Sequence, residues 1–235
     1  MALDKDIVGS IEFLEVEGLQ GSTYLLKGPN GEQVKLNQSE VADEDEFEIG
    51  EEYSFFVYPN RSGELFATQN MPDITKDKYD FAKVLKTDRD GARIDVGLPR
   101  EVLVPWEDLP KIKELWPQAG DYLLVTLRID SNNQMFGRLA SETIVEGMFT
   151  PVMDDSKQNE MIEARAYRLL RVGSFLLSED GYKIFVHESE RKQEPRLGEK
   201  VEVRIIGHND KGELNGSFLP LAHERLDDDG QVIFD

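Results

Sequence analysis

Three sequence marks recur three times in this chain, and this repetition limits the possible folds more than any other feature. Each copy begins with Gly and a small residue, continues into an alternating strand that ends in a polar phrase, and reaches a second Gly followed by an acidic residue and an apolar strand. The paired glycines are Gly21 and Gly50, Gly91 and Gly120, and Gly173 and Gly198, which lie 29, 29 and 25 residues apart. Agreement in both order and spacing predicts three similar domains in tandem.

Each copy contains five short segments with the alternation of half-buried strands. The predicted strands are 7–16, 24–26, 34–36, 53–58 and 64–68, then 81–87, 92–96, 102–104, 122–129 and 135–139, then 163–172, 174–178, 183–186, 200–206 and 213–218. Five strands with an irregular insert between the third and fourth is the order of an OB-fold barrel, whose strands two and three form a face that binds oligonucleotides. The sequence therefore predicts a mostly β protein of three tandem five-stranded OB-fold barrels.

The breaks between copies predict domains at 1–72, 73–145 and 146–235. A short helical region is expected at 106–116, with Trp106 and Trp116 as packing anchors, and the segment 141–159 is expected to be a linker with some helix. The acidic run 43–48 is interpreted as a solvated connection.

Composition excludes several classes of protein. The chain has no Cys, which excludes disulfides and Cys-ligated metals, and it has neither an apolar signal region nor a run of about 18 apolar residues. A cytoplasmic protein that does not enter membranes is expected. The three His residues (His187, His208, His223) have no metal-ligand spacing, and no Gly-rich phosphate loop or Ser-His-acid phrase is present. We therefore expect no enzyme activity, no cofactor and no small-molecule substrate.

The net charge of −20 argues against tight non-specific binding to nucleic acid, because such binding depends on neutralising phosphates. When the chain is divided at Pro72 and Met148, the three segments carry net charges of −11, −3 and −6. The acidity is therefore concentrated in the first copy. A local basic face on the second or third copy is compatible with a net charge of −20 for the whole chain.

The third copy contains the phrases GSFLLS (173–178), FVHESE (185–190) and GEKVEVRII (198–206). Together they resemble the S1 RNA-binding domain, which is built on the OB-fold. The phrase GARIDVGLPREVLVPWEDLP (91–110) and the three-domain arrangement are similar to the conserved virulence factor B family, bacterial cytoplasmic proteins with tandem S1 domains. The resemblance covers essentially the whole chain. It implies a further C-terminal winged-helix domain that contacts RNA, and we expect that domain to be absent from a chain ending with the acidic 227–229 and apolar 231–234.

The resemblance also implies four binding positions per domain: an aromatic residue on strand two, a His on strand three, an Asp or Asn after strand four, and an Arg after the next turn. In the third copy these positions fall on Phe175, His187, Asn209 and Glu213. In the second they fall on Arg93, Pro105, Asp130 and Gln134, and in the first on Thr23, Asn37, Asn60 and Glu64. Glu213 reverses the expected charge, and the first copy retains little binding chemistry.

Single-stranded RNA needs flat side chains for its bases and cations for its phosphates. Phe175 and His187 on adjacent predicted strands can form a stacking platform, although a core position for Phe175 and a hydrogen-bonded role for His187 stay open. Cations for phosphate contact cluster near the first turn of the second copy (Lys83, Lys86, Arg89, Arg93) and along the first strand of the third (Arg165, Arg168, Arg171). The latter three share one face only if a β-bulge intervenes. An ordinary solvated face is the alternative for each cation.

The predicted function is that of a non-catalytic regulator that binds single-stranded RNA by stacking and phosphate contacts, and the family resemblance implies control of virulence-related genes. The alternative is a protein-interaction scaffold that docks onto the transcription or translation machinery. Only the RNA binder should lose affinity steeply as salt rises and weaken when Phe175 is replaced by Ala.

Overall fold

The computed structural model describes residues 7–42 and 46–221. Part of the acidic run 43–48, His223 and the acidic and apolar C-terminal phrases lie outside the described residues.

The described chain forms three closed barrels of five strands each. Barrel 1 contains β1 (Ile11–Gln20), β2 (Thr23–Lys27), β3 (Gln33–Asn37), β4 (Glu52–Pro59) and β5 (Leu65–Thr68). Barrel 2 contains β6 (Asp80–Asp88), β7 (Gly91–Asp95), β8 (Val102–Pro105), β9 (Tyr122–Ile129) and β10 (Met135–Leu139). Barrel 3 contains β11 (Met161–Leu170), β12 (Gly173–Ser178), β13 (Lys183–His187), β14 (Lys200–His208) and β15 (Leu214–Ser217).

All three barrels share one strand order, in which the fifth strand lies between the third and the fourth. The third and fifth strands pair in parallel, and the other neighbours pair antiparallel. This is the connectivity of the OB-fold, so the predicted fold class is confirmed.

The first strand closes each barrel by pairing with two different partners. In barrel 3, β11 pairs with β14 through Met161 to Arg165 and with β12 through Ala164 to Leu170. A β-bulge lies within the second pairing and leaves one extra residue, which is Glu17, Leu85 or Tyr167 in the three barrels. Such a bulge bends a strand and increases its twist, which lets one strand serve both sides of the opening.

Alternate residues of the strands fill the barrels. In barrel 3 the fully buried residues include Leu176, Ile184 and Leu214, and in barrel 1 they include Leu14, Leu26 and Leu36. Their neighbours in sequence point outwards, as the two-residue period of a strand requires.

The structure corrects two details of the sequence prediction. The first strand begins at Ile11 rather than at residue 7, because Gly9 has a φ of 80° and Ile7 to Ser10 form a buried turn. The short helical turn region expected at 106–116 consists of two single 3-10 turns, at Trp106–Asp108 and Lys113–Leu115. Trp106 is 53% exposed and is therefore not a packing anchor. The prediction of some helix in the linker is confirmed by α1 (Glu142–Glu146).

The chain divides into two compact units, one made of residues 1–111 and 116–140 and the other of 112–115 and 141–235. The first unit holds barrels 1 and 2. Within it, the Lys76 amide donates to the Gly9 carbonyl over 2.8 Å, and Ile129 of β9 packs against the core of barrel 1. The three domain boundaries remain a prediction. No helix within the described ranges has the length and apolar character needed to cross a membrane.

Gly91 is expected to be essential for barrel 2, because its φ of 137° disfavours a side chain and a Cβ there would overlap the Val104 carbonyl oxygen and lie 2.8 Å from the Trp106 amide nitrogen. Gly120 is a matched control, since its φ of 95° is also positive but a Cβ would meet nothing within 4 Å. Gly120→Ala should lower the free energy of unfolding by about 1 kcal/mol, and Gly91→Ala by at least about 2 kcal/mol more. Urea denaturation followed by circular dichroism measures both. Equal decreases would contradict the steric explanation.

Candidate nucleic-acid interface

Each barrel carries an outward row of three side chains on its second, third and fifth strands, at equivalent positions of the strand pairing. We call these the face rows. They are Leu25, Lys35 and Phe66 in barrel 1, Arg93, Leu103 and Phe136 in barrel 2, and Phe175, Phe185 and Asn215 in barrel 3. These positions lie on the face that OB-folds use to bind oligonucleotides, so the face rows are the candidate nucleic-acid-binding surfaces of the three barrels.

The face row of barrel 3 contains two neighbouring aromatic rings whose planes are inclined by 42°. Phe175 and Phe185 are half-buried with ring centroids 4.9 Å apart, and the exposed His187 lies 6.2 Å from Phe185. Phe175 therefore lies on the outward face of β12 rather than in the core, although stacking on a base stays a prediction. His187 is also the last residue of β13, and its side chain caps the 3-10 turn that follows, because its Nδ1 accepts a hydrogen bond from the Ser189 amide over 3.2 Å.

A buried lysine lies beside this row. Lys183 is 3% exposed, and its ammonium group contacts Glu142 of α1 and lies 2.5 Å from Oε1 of Glu213. Its nitrogen is 6.0 Å from the centre of the Phe175 ring. Glu213, which reverses the charge expected from the family pattern, is therefore the counterion of a lysine that the sequence analysis did not consider.

The carboxylate of Glu142 accepts hydrogen bonds from three side chains of barrel 3. Besides Lys183, Arg168 donates to it over 3.1 Å and the Tyr167 hydroxyl over 3.2 Å. Burial disfavours the ionised form of Glu142, but the hydrogen bonds from Lys183 and Arg168 outweigh this effect and hold its pKa below the usual value. Burial likewise lowers the pKa of Lys183, and its two carboxylate partners raise it further than burial lowers it. The ion pair is charged at neutral pH.

The Asp or Asn after strand four has the same role in every barrel. Asp130 Oδ1 accepts hydrogen bonds from the amides of Asn132 and Gln134 over 2.8 and 2.9 Å. Asn209 accepts from Lys211 and Glu213, and Asn60 accepts from Ser62 and Glu64, at the same spacing. These side chains stabilise the turn before the fifth strand. The Oδ1 atoms of Asp130 and Asn209 already accept two backbone hydrogen bonds each, so any contact with RNA would be additional to this role in the turn.

The predicted cations of barrel 2 are partly neutralised. Arg93 lies 3.5 Å from Asp88, 3.6 Å from Asp90 and 3.8 Å from Glu101, and Lys86 lies 3.6 Å from Glu101. Lys83 is exposed on β6, opposite Asp95 of β7. A phosphate at this edge would have to compete with protein carboxylates for Arg93 and Lys86.

The three arginines of barrel 3 are separated by the bulge at Tyr167. Arg165 lies opposite Leu177 and Arg168 lies opposite Phe175, so the bulge brings both to the same side of the sheet. Arg171 is exposed in the turn between β11 and β12. The Val172 carbonyl of that turn accepts a hydrogen bond from the Glu188 amide over 2.9 Å, which places Arg171 close to the His187 end of the face row.

Comparison with known proteins identifies the family. Residues 79–138 match the model described as "CvfB first S1-like domain", residues 148–220 match "Virulence regulatory factor CvfB, second domain", and residues 8–70 match "S1 domain". The chain is 92% identical over its full length to Conserved virulence factor B of Staphylococcus epidermidis, of which it covers 79%. The chain belongs to the conserved virulence factor B family.

Two further members or neighbours support this assignment. Conserved virulence factor B of Staphylococcus aureus strain USA300 is 87% identical over all 235 residues, which cover 78% of that protein. A crystal structure of a multidomain protein with nucleic acid binding domains from Streptococcus pneumoniae is 29% identical, with a TM-score of 0.80 over 92% of this chain and 75% of the other. Within the conserved virulence factor B family, the predicted tandem S1-type organisation of this chain is confirmed.

Motif matching placed some residues of the site and missed others. It selected Phe175, His187 and Arg93, which lie on or beside the face rows, but it selected Thr23 in the first copy, whereas the pairing places Leu25 opposite Lys35 at the position of Phe175. Thr23 lies opposite Asn37, as Gly173 lies opposite His187, because the Gly-Ser step of the first copy belongs to the preceding turn. The fifth-strand residue Phe136 and the third-strand residue Phe185 were missed. The alternation of β13 alone could have indicated Phe185 as an outward neighbour of His187.

Asp130→Ala should destabilise barrel 2, because two backbone amides are left without their acceptor. The expected decrease in the free energy of unfolding is about 1–3 kcal/mol, measured by urea denaturation. Asp130→Asn is the control, because barrels 1 and 3 use Asn at this position and the acceptor oxygen is retained. A decrease as large for Asn as for Ala would show that charge rather than turn geometry matters there.

Glu142→Gln should lower stability at neutral pH by about 1–3 kcal/mol, because Lys183 and Arg168 are left without a charged acceptor. The folded-state pKa of Glu142 is below its unfolded value, so its contribution is complete above about pH 5 and is lost as pH falls through the lowered pKa. The stability difference from the original chain should therefore shrink below about pH 4. Thermal unfolding from pH 3 to 7 measures it. Glu202→Gln, a substitution of an exposed residue of β14 outside this cluster, should show no such pH dependence.

Proposed function

We propose that this chain binds single-stranded RNA through the face rows of barrels 2 and 3 and acts in the cytoplasm as a non-catalytic regulator of virulence-related genes. The observation that carries the proposal is the outward aromatic row of barrel 3, in which Phe175, Phe185 and His187 lie side by side. Stacking on such a row is tolerant of sequence because every base has a flat face.

The surroundings of the row suit a strand of RNA. Arg168 lies 5.6 Å from the centre of the Phe175 ring, and Arg171 is exposed near His187, so cations are present at both ends of the aromatic surface. A phosphate at Arg168 would compete with Glu142, whereas Arg171 has no ion pair among the described residues. Bases on the rings and phosphates at the arginines would satisfy both parts of a single-stranded chain. The Streptococcus pneumoniae neighbour, which is described as having nucleic acid binding domains, and the virulence regulatory name of the family model support the same direction.

A protein-docking function remains the alternative, and one observation favours it. Ile11 and Phe13 of β1 are 46% and 68% exposed, on a strand that does not belong to the face row. The affinity of docking through such side chains would depend little on salt. For RNA binding, the logarithm of the binding constant falls linearly with the logarithm of the salt concentration.

Phe175→Ala should weaken binding of a short oligouridylate by about 5- to 150-fold, because one aromatic stack contributes about 1–3 kcal/mol. Phe13→Ala is the matched control, since it removes an exposed ring of barrel 1 outside the face row. Fluorescence anisotropy at two salt concentrations measures both variants. Equal affinities for the two variants, or no decrease with salt, would favour the docking function.

A further inference from the structure

A cleft of about 610 Å³ lies over the face row of barrel 2, within the first compact unit. Its apolar lining includes Leu103 and Phe136 of the row together with Met135. Phe136 is half-buried and lies next to Leu103 across the parallel pairing of β8 and β10, so its ring is held in place on the outward side. The cleft offers a flat apolar surface at the position where OB-folds hold bases.

Arginines from both barrels of the unit line this cleft. Arg100 comes from the loop between β7 and β8, Arg138 from β10, and Arg61 from the turn between β4 and β5 of barrel 1. Gln134 of barrel 2 donates to the backbone carbonyl of Arg61 over 3.4 Å, which fixes that turn at the edge of the cleft. Barrel 1 therefore contributes a cation to the face of barrel 2.

These three arginines differ from Arg93, which also lines the cleft. Across residues 7–42 and 46–221, Arg61, Arg100 and Arg138 form no ion pair with a carboxylate. The Nε of Arg100 is buried and has no hydrogen-bond partner within those ranges. In a chain with 47 acidic and 27 basic residues, arginines that have no counterion are unexpected unless something else neutralises them.

The charges of Arg61 and Arg100 act on each other. Burial lowers the pKa of Arg100 and the nearby charge of Arg61 lowers it further, so the pair has an unfavourable interaction that an anion between them would relieve. Carboxylates also line the cleft, but Glu101 is paired with Arg93 and Lys86, and Asp130 is held in its turn. Glu107 and Asp108 belong to the 3-10 turn that follows β8.

We propose that Arg61 and Arg100 form a phosphate clamp that spans barrels 1 and 2 and binds the backbone of single-stranded nucleic acid, with a base resting on Phe136 and Leu103. The inference rests on the proposed function and adds a site to it. The planar guanidinium fork matches a phosphodiester group, and Arg is preferred over Lys where two such donors meet one anion. Barrel 1, the most acidic of the three, thereby takes part in binding through one loop.

The test measures binding of the whole chain to two probes with equal numbers of phosphates, an oligouridylate 12-mer and an abasic 12-mer, at four salt concentrations. The variants are Arg61→Gln, Arg100→Gln and the double substitution, with Lys111→Gln as control because Lys111 is an exposed cation that does not line the cleft. The double variant should bind both probes about tenfold more weakly. The slope of log K against log salt should fall by about 0.7 for each phosphate that the variant no longer neutralises.

The outcomes separate the clamp from the proposed function. Oligouridylate binding with an unchanged slope in the double variant would overturn the clamp and leave RNA binding intact. Binding of both probes that needs Arg61 and Arg100 but is unaffected by Phe175→Ala would support the clamp and overturn stacking on barrel 3. Binding of neither probe would overturn both the clamp and the proposed RNA binding. If polyglutamate competed as strongly as unlabelled oligouridylate, the cleft would bind acidic peptides rather than nucleic acid, and the clamp proposal would be overturned. Arg61→Gln alone changes an exposed side chain, so a decrease of slope there cannot be attributed to unfolding.

Discussion

Closure of a five-stranded barrel by one bent strand is the constraint on which the structure of this chain depends. The first strand of each barrel must pair with the second strand along one half and the fourth along the other, and in every copy the bend coincides with one extra residue. Among residues 7–42 and 46–221, closure leaves the barrel sheets without an edge that could pair with another chain. It also fixes which residues face outwards, because the register after the bulge is shifted by one.

The bulge therefore decides part of the chemistry of the binding face. Arg168 and Lys86 follow the extra residue directly and lie opposite Phe175 and Arg93, so each extends its face row by one cation. Without the bulge, Arg165 and Arg168 would point to opposite sides, as strand alternation requires. The β-bulge that closes the barrel thus also places a cationic side chain beside the face row, which is the surface proposed to bind a base.

The sequence predicted the barrels well because the period-2 alternation and the repeated glycines are local signals. Most of the fifteen described strands lie within a few residues of their predicted positions. The parallel pairing of strands three and five is a property of the OB-fold topology, and no single residue in the sequence indicates it. The site was harder to predict, because its membership depends on pairing across distant strands. Phe136, Arg61 and Glu142 belong to no repeated motif, and only the folded chain brings Arg61 to the barrel 2 cleft and Glu142 to Lys183.

The acidity of the chain and its binding faces are compatible because charge acts locally. At physiological salt, exposed charges interact over about 8 Å, so carboxylates elsewhere on the surface have little effect on a particular arginine. Nearby carboxylates matter far more, and the chain uses them unequally: Arg93 has three within 4 Å, whereas Arg100 has none among the described residues. Binding strength should thus depend on a small number of uncompensated arginines and exposed rings. An acidic exterior then disfavours non-specific attachment without weakening the few sites that lack internal counterions.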